Sequence, residues 1–134
     1  MKIQYADETD YSYIFERDRH FHPSLVETKI KENEILMIWE QEARIGWMRY
    51  GYFWDNIPFM NMIWIDEPYR SGGIGRAVVQ HWEHLMKQKG FDTVMTSTQS
   101  DEHAQHFYRK LGYVDAGSLL LETQPLEIIL IKKI

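Results

Sequence analysis

The chain has no cysteine among its 134 residues. That excludes disulfide scaffolds, thiolate-held zinc and a cysteine acyl-enzyme, and it permits a reducing compartment. Proline is scarce, at four residues, and no Pro/Gly/Ser-rich linker, repeat or low-complexity tract divides the sequence. A single domain over residues 1–134 is therefore expected, since roughly 150 residues make one domain. No run approaches the ~18 consecutive apolar residues of a membrane helix. The opening Met1-Lys2-Ile3-Gln4-Tyr5-Ala6-Asp7-Glu8 lacks the apolar centre of a secretion signal and turns acidic early. A cytoplasmic protein without a membrane partner is the default expectation. Positive charge is also short: 15 Lys and Arg against 20 Asp and Glu give a formal charge of −5. Such a chain is a poor general binder of nucleic acid or anionic lipid, so any anion must be held by a local device.

Apolar surface is plentiful. Hydrophobic residues make up 44% and aromatics 14%, enough to offset ordering entropy and build a core. Residues 2–6 suit a short strand, and Thr9 or Asp10 can cap a helix to about Arg19. Pro23 disfavours helix at His22, and Ser24 can cap a second short helix to about Asn33. Ile35–Trp39, Ala43–Phe53 and Phe59–Asp66 read as an antiparallel meander, with a turn at Trp54-Asp55-Asn56-Ile57-Pro58. Ile74, Ala77, Val78, His81, Trp82, Leu85 and Met86 then fall on one helical face. Gly90 follows as a left-handed cap. Thr93–Ser97 is a strand. Asp101 can cap a helix with Ala104, Phe107, Tyr108 and Leu111 inward, closed by Gly112. Two strands follow, near Tyr113–Leu120 and Leu126–Ile131. This order predicts an α/β domain with a mixed sheet.

Chemistry concentrates between the strand ending at Asp66 and the helix beginning near Ile74. There the chain reads Arg70-Ser71-Gly72-Gly73-Ile74-Gly75-Arg76. Glycines let backbone approach a ligand, and a helix N-terminus offers free N–H groups and partial positive charge. Arg70 and Arg76 add bidentate donors, so the segment is the clearest candidate for a phosphate or pyrophosphate site. An ordinary glycine-rich turn is the bland reading of the same residues. A Walker loop is excluded because Arg76-Ala77 follows Gly75 where Lys-Ser/Thr is needed. A dinucleotide fingerprint is excluded because Val78 stands where its third glycine would be.

Arg70-x-x-Gly73-x-Gly75, between a strand and a long amphipathic helix, resembles the acyl-CoA-binding motif of the GNAT superfamily of N-acetyltransferases. The stretch Asp101-x-x-Ala104-x-x-Phe107-Tyr108-x-x-x-Gly112-Tyr113 resembles the family's Asn-x-x-Ala-x-x-Phe-Tyr-x-x-x-Gly-Phe segment. Both occur in family order and context. The resemblance departs at Glu67-Pro68, whose order is swapped. It departs also at Ser71-Gly72, which replace a frequent Gly-Lys, and at Asp101, which replaces Asn. The resemblance implies a GNAT-like single α/β domain: a mixed, mostly antiparallel sheet of about six to seven strands with about four helices.

The resemblance further implies acetyl-CoA as acetyl donor, bound in a V-shaped opening between the fourth and fifth strands. Backbone amides at Arg70, Ser71, Gly72, Gly73, Ile74, Gly75 and Arg76 would hold the pyrophosphate, with Asp101 and Tyr108 also at the cofactor. Backbone near Ile65 would pair with the pantetheine arm. Tyr108 matches the general acid, which would protonate or hydrogen-bond the departing CoA thiolate after direct amine attack through a tetrahedral intermediate. Candidates for the base are Asp66, Glu67, His20 and His22, with a water relay as the alternative. His81 reads as a packing residue. Glu102-His103-x-x-His106 lacks further ligands, so no metal is expected.

For the acceptor, Trp54 and Asp55 in a turn suit a cationic amine through cation–π and Coulomb attraction, with His22 beside the pocket. A primary amine on a small molecule is the expected acceptor. The alternatives are a protein or peptide N-acetyltransferase, a non-catalytic acyl-CoA sensor, and a nucleotide-binding domain using the same turn. A homodimer is common in the family.

Overall fold

Strands and helices follow one another in the expected order in the computed structural model, which describes residues 1–134. They are β1 (Lys2–Tyr5), α1 (Tyr11–Arg17), α2 (Val26–Lys31), β2 (Ile35–Glu40), β3 (Ala43–Phe53), β4 (Ile57–Ile65), α3 (Ile74–Gln88), β5 (Thr93–Gln99), α4 (Ala104–Lys110), β6 (Val114–Leu119) and β7 (Glu127–Lys133). Seven strands form one sheet in the order β1-β2-β3-β4-β5-β7-β6. β1 with β2, β2 with β3, β5 with β7 and β6 with β7 pair antiparallel, and β4 with β5 is parallel. The sheet is thus mixed and mostly antiparallel, as expected.

Two compact units make up the chain. The first is Met1–Tyr50 with Met62–Val78, and the second is Gly51–Asn61 with Val79–Ile134. β3, β4 and α3 each contribute residues to both.

In the first unit, Ile35–Ile38 are all buried, as a strand covered on both faces requires. Ala6, Ile14, Val26, Ile30, Ile35, Met37 and Trp47 form its core cluster. Each large apolar side chain so buried stabilises the fold by about 1.5–3 kcal/mol. Gly46 is obligatory in β3, because a Cβ there would lie 2.1 Å from the Trp64 carbonyl oxygen. In the second unit Val79, Trp82 and Met86 of α3 are buried, together with Val94, Tyr113 and Leu130. Glu83 is buried with them. It accepts from the Tyr113 hydroxyl at 2.7 Å and from Lys132 Nζ at 2.9 Å.

Three caps differ from expectation. Asp10 flanks α1 at the cap position but makes no capping bond with its side chain; Asp7 caps the 3-10 turn Glu8–Asp10 before it, its carboxylate accepting from Thr9 N–H at 2.9 Å while Asp10 accepts from Asp7 N–H at 2.9 Å. This is a capping box one turn earlier than the apolar pattern indicates. His22, not Ser24, caps the 3-10 turn Pro23–Leu25 that leads into α2, its Nδ1 accepting from Ser24 N–H at 3.3 Å. Asp101 lies exposed in the turn before α4 and is not its cap; the flanking residue is His103, whose side chain makes no capping bond.

Candidate active site

The glycine-rich loop sits in the first unit, between the end of β4 and α3. Ser71 and Gly73 have φ of +66° and +86° on either side of Gly72. Alternating backbone hand turns successive N–H groups toward one side and makes a concave anion nest. Nothing lies within 4 Å of where a Cβ would stand on Gly72 or Gly73, so this backbone is open to a ligand. α3 begins at Ile74 and has 15 residues, which supplies free N–H groups and dipole at the same point. These features fit a pyrophosphate. Arg76 is exposed on the first turn of α3.

The Arg70 side chain turns back toward the end of β4. Its Nε donates to the Ile65 carbonyl at 2.7 Å, and its guanidinium lies 4.6 Å from the Trp64 ring centroid. The side chain therefore ties the loop back to the end of β4. The Ile65 carbonyl is already taken. Asp66 N–H donates to Ile45 of β3 at 2.8 Å, so strand alternation directs the backbone of Ile65 and Ile63 to the other edge of β4.

A cavity of about 380 Å³ opens in the same unit, lined by Glu16, Arg17, Arg19, His20, Trp47, Met62, Trp64 and Asp66. Trp47 and Trp64 stack at 6.2 Å between centroids and 28° between planes. Asp66 accepts from Trp64 Nε1 at 3.0 Å. Of the four candidate bases, His20 and Asp66 line this cavity. Glu67 lies exposed in the 3-10 turn Glu67–Tyr69, and the His22 ring is occupied with Ser24.

Asp18 organises this cavity, although nothing in the motif pattern marks it. Its carboxylate accepts from Trp47 Nε1 at 3.0 Å, Arg49 Nε at 2.9 Å, Arg49 Nη2 at 3.3 Å and His20 N–H at 3.1 Å. Burial opposes its charge most strongly, yet Arg49 and these donors together hold its carboxyl below the usual range. Arg49 also lies 4.3 Å from the Phe21 ring centroid. One signal was available: an arginine inside a run of strand residues that are otherwise apolar demands a buried carboxylate.

Tyr108 lies in the second unit, on α4, and is 6% exposed. Burial is the main reason its hydroxyl is pushed up to about 12; Thr96 opposes the rise by hydrogen bonding to it, and Glu102 adds to it. Thr96 belongs to the parallel ladder of β4 and β5, which pairs Phe59 with Met95 and Met60 with Thr96. The phenol thus sits where that pairing ends.

Trp54 and Asp55 form the turn that enters β4, with φ of +56° each and Asn56 N–H donating to Phe53 at 3.0 Å. They precede β4, whereas Ile65 and the nest follow it. Trp54 is 79% exposed.

A match to the acetyltransferase (GNAT) family covers residues 2–113. The chain belongs to the GNAT acetyltransferase family. Ard1 from Thermoplasma volcanium superposes with a TM-score of 0.84 over 99% of this chain and 97% of that one, at 14% identity. The PaiA N-acetyltransferase from Thermoplasma acidophilum, in complex with coenzyme A, superposes at 0.75 over 99% and 98%, at 17% identity. At such identities these show a shared GNAT fold. The uncharacterized protein YyaT of Bacillus subtilis (strain 168) is 32% identical over 75 residues, 56% of this chain and 49% of that protein. The chain thus spans about half the length of that curated relative. No helix of this GNAT chain is long and apolar enough to cross a membrane.

Proposed function

We propose that the chain is an acetyl-CoA-dependent N-acetyltransferase acting on a primary amine of a small molecule by direct attack. The observation that carries this reading is the buried Tyr108 phenol on α4, near Thr96 where β4 and β5 cease to pair. Acetyl-CoA supplies an activated thioester and a thiolate leaving group. The nest at Ser71–Gly73 and the first N–H groups of α3 hold its pyrophosphate. The outward backbone of Ile63 and the Ile65 N–H offer strand pairing to its pantetheine arm. Asp101, exposed before α4, has only its place in the family motif to connect it with the cofactor.

Asp66 and His20, which both line the cavity beside Trp47, are the groups we assign to take the proton from an acceptor ammonium. Tyr108 faces a leaving thiolate whose pKa is about 8.5 by analogy with cysteine. A phenol raised to about 12 keeps its proton against such a thiolate. It therefore stabilises the leaving sulfur as a hydrogen-bond donor. The modest volume of the cavity, lined by Trp47 and Trp64 with Glu16 and Asp66 beside Arg17 and Arg19, supports a small amine over an extended peptide.

Thermal unfolding with acetyl-CoA, CoA and ATP titrated separately tests the assignment. A ligand at about 100 times its Kd adds roughly 2.7 kcal/mol and shifts Tm by several degrees. Stabilisation by both CoA species and not by ATP is expected, and a thiol-release screen over amines then finds the acceptor. No shift with millimolar acetyl-CoA would overturn the reading.

A further inference from the structure

We propose that the acceptor is an amino carboxylate, and that Arg19 selects it by binding its carboxylate. The inference rests on the transferase reading above and names the substrate class of the same cavity.

The lining of that cavity carries charge of both signs. Glu16 and Asp66 are set against Arg17 and Arg19. An acceptor with positive charge alone gains from the carboxylates and is repelled by the guanidiniums. A zwitterion gains from both, because its own charges are of both signs.

The two arginines differ in what they already hold. The Arg17 guanidinium lies 4.1 Å from the Tyr13 ring centroid, and its Nη1 is 3.7 Å from Glu16. Arg19 is exposed and has no ion pair, hydrogen bond or ring contact within the chain. Its neighbour Asp18 is no partner for it, because that carboxylate is taken by Arg49 and Trp47. Asp18 also accepts from His20 N–H at 3.1 Å, which anchors the backbone on both sides of Arg19. A free guanidinium on an anchored segment is a planar fork that matches a carboxylate.

The opposite charge is open as well. Asp66 accepts from Trp64 Nε1 through Oδ1 and makes no ion pair. It stands at the end of β4, where the chain leads into the glycine-rich loop, whereas Arg19 stands in the connection from α1 to α2. The ammonium therefore goes to Asp66 and the carboxylate to Arg19. Trp47 and Trp64, stacked at 6.2 Å, offer an apolar wall to the carbon skeleton. At about 380 Å³ the cavity is at the small end of small-molecule sites, which run from about 300 to 1,000 Å³.

The test uses the whole chain with acetyl-CoA. The probes are the common L-amino acids, β-alanine and 4-aminobutyrate, each beside its primary amide. The amide keeps the amine and removes the anion. Thiol release gives kcat/KM, and melting of the CoA-saturated protein gives binding without turnover. The best acceptor should be an acid that exceeds its own amide by about tenfold or more, the scale of one charge-assisted hydrogen bond. Arg19→Gln should bring that ratio to within about threefold, through a higher KM for the acid. Arg19→Glu should invert it, and Arg19→Lys should keep part of it, with the charge but not the fork. The melting shift given by the acid should fall in Arg19→Gln as well. Arg19 has no partner in the fold, so far-UV circular dichroism of the variants should match wild type.

An amide that equals or exceeds its acid in the wild type overturns the inference. So does an acid preference that survives Arg19→Gln. So does the absence of any response to the acids, in thiol release and in melting, while acetyl-CoA stabilises the chain. If acetyl-CoA itself gives no stabilisation, the transferase reading falls, and the inference falls with it.

Discussion

Asp18 and Arg49 meet as a buried fork: Nε at 2.9 Å and Nη2 at 3.3 Å, with side chains 0% and 6% exposed. Asp18 is the residue at which α1 ends, and Arg49 lies on β3. The pair fixes the segment carrying His20 and Phe21 to the strand carrying Trp47.

Removing one partner should cost far more than a surface pair. Asp18→Ala leaves a buried guanidinium and a buried indole N–H without an acceptor, a loss of about 3–5 kcal/mol. Urea unfolding reads this as a lower midpoint. Arg44→Ala is the milder comparison, because the Arg44 side chain that pairs with Asp10 is 28% exposed.

The same pair sets an acid limit. The Asp18 carboxyl is lowered, so in that range the unfolded chain binds more protons than the folded one. Its stabilising contribution is complete above the unfolded value near 3.9 and is lost as pH falls through the folded value. Acid titration followed by near-UV circular dichroism should show Asp18→Asn losing part of this dependence.

At the alkaline end the sign reverses. Burial raises Tyr108 to about 12, and burial together with Glu83 raises Tyr113. Free tyrosine ionises near 10, so above that the unfolded chain sheds protons that the folded chain keeps. Stability should be full below about pH 10 and decline as pH rises. Tyr108→Phe and Tyr113→Phe should each flatten that decline in chemical denaturation at pH 9–11.

Tyr108→Phe should lower kcat by about two orders of magnitude, the usual scale for one positioned proton donor. KM for acetyl-CoA should change little, since the phenol acts at the leaving sulfur. A similar loss in KM and none in kcat would assign Tyr108 to binding.

The turn before β4 offers a stabilising change. Trp54 and Asp55 both occupy the left-handed region, with Asn56 closing the turn onto Phe53. Two-residue hairpins of this type favour Asn-Gly. Trp54→Asn with Asp55→Gly should raise stability by about 1 kcal/mol, visible as a higher Tm. Unchanged acceptor turnover in this double variant would exclude Trp54 and Asp55 from acceptor binding.

Local patterns were legible in the residues themselves. The 3.6-residue spacing from Ile74 to Met86 marked α3, apolar runs marked β2 to β5, and glycines after Arg70 marked the nest. These features follow from neighbours in sequence, because helix periodicity, strand alternation and backbone freedom are local. Cap positions were less legible: Asp7 and His22 win because their side chains reach an N–H two residues on, which the apolar pattern does not encode. Arg70 read as an anion ligand, yet Ile65 and Trp64, five and six residues earlier, hold its side chain.

The residues alone carried the likeness to the family, the order of elements, a glycine-rich loop ahead of a long helix and Tyr108 as a candidate donor. Tertiary structure alone decided that Asp18 binds Arg49 and Trp47 from across 31 and 29 positions of chain. It alone placed His20 and Asp66 on one cavity and left His22 off it. It also tied the buried Thr96 hydroxyl to the Met60 carbonyl, 36 positions away. Such partners are selected by burial. A charge or hydroxyl removed from water must find its complement wherever the packed chain brings one, and no spacing in the sequence records where that will be.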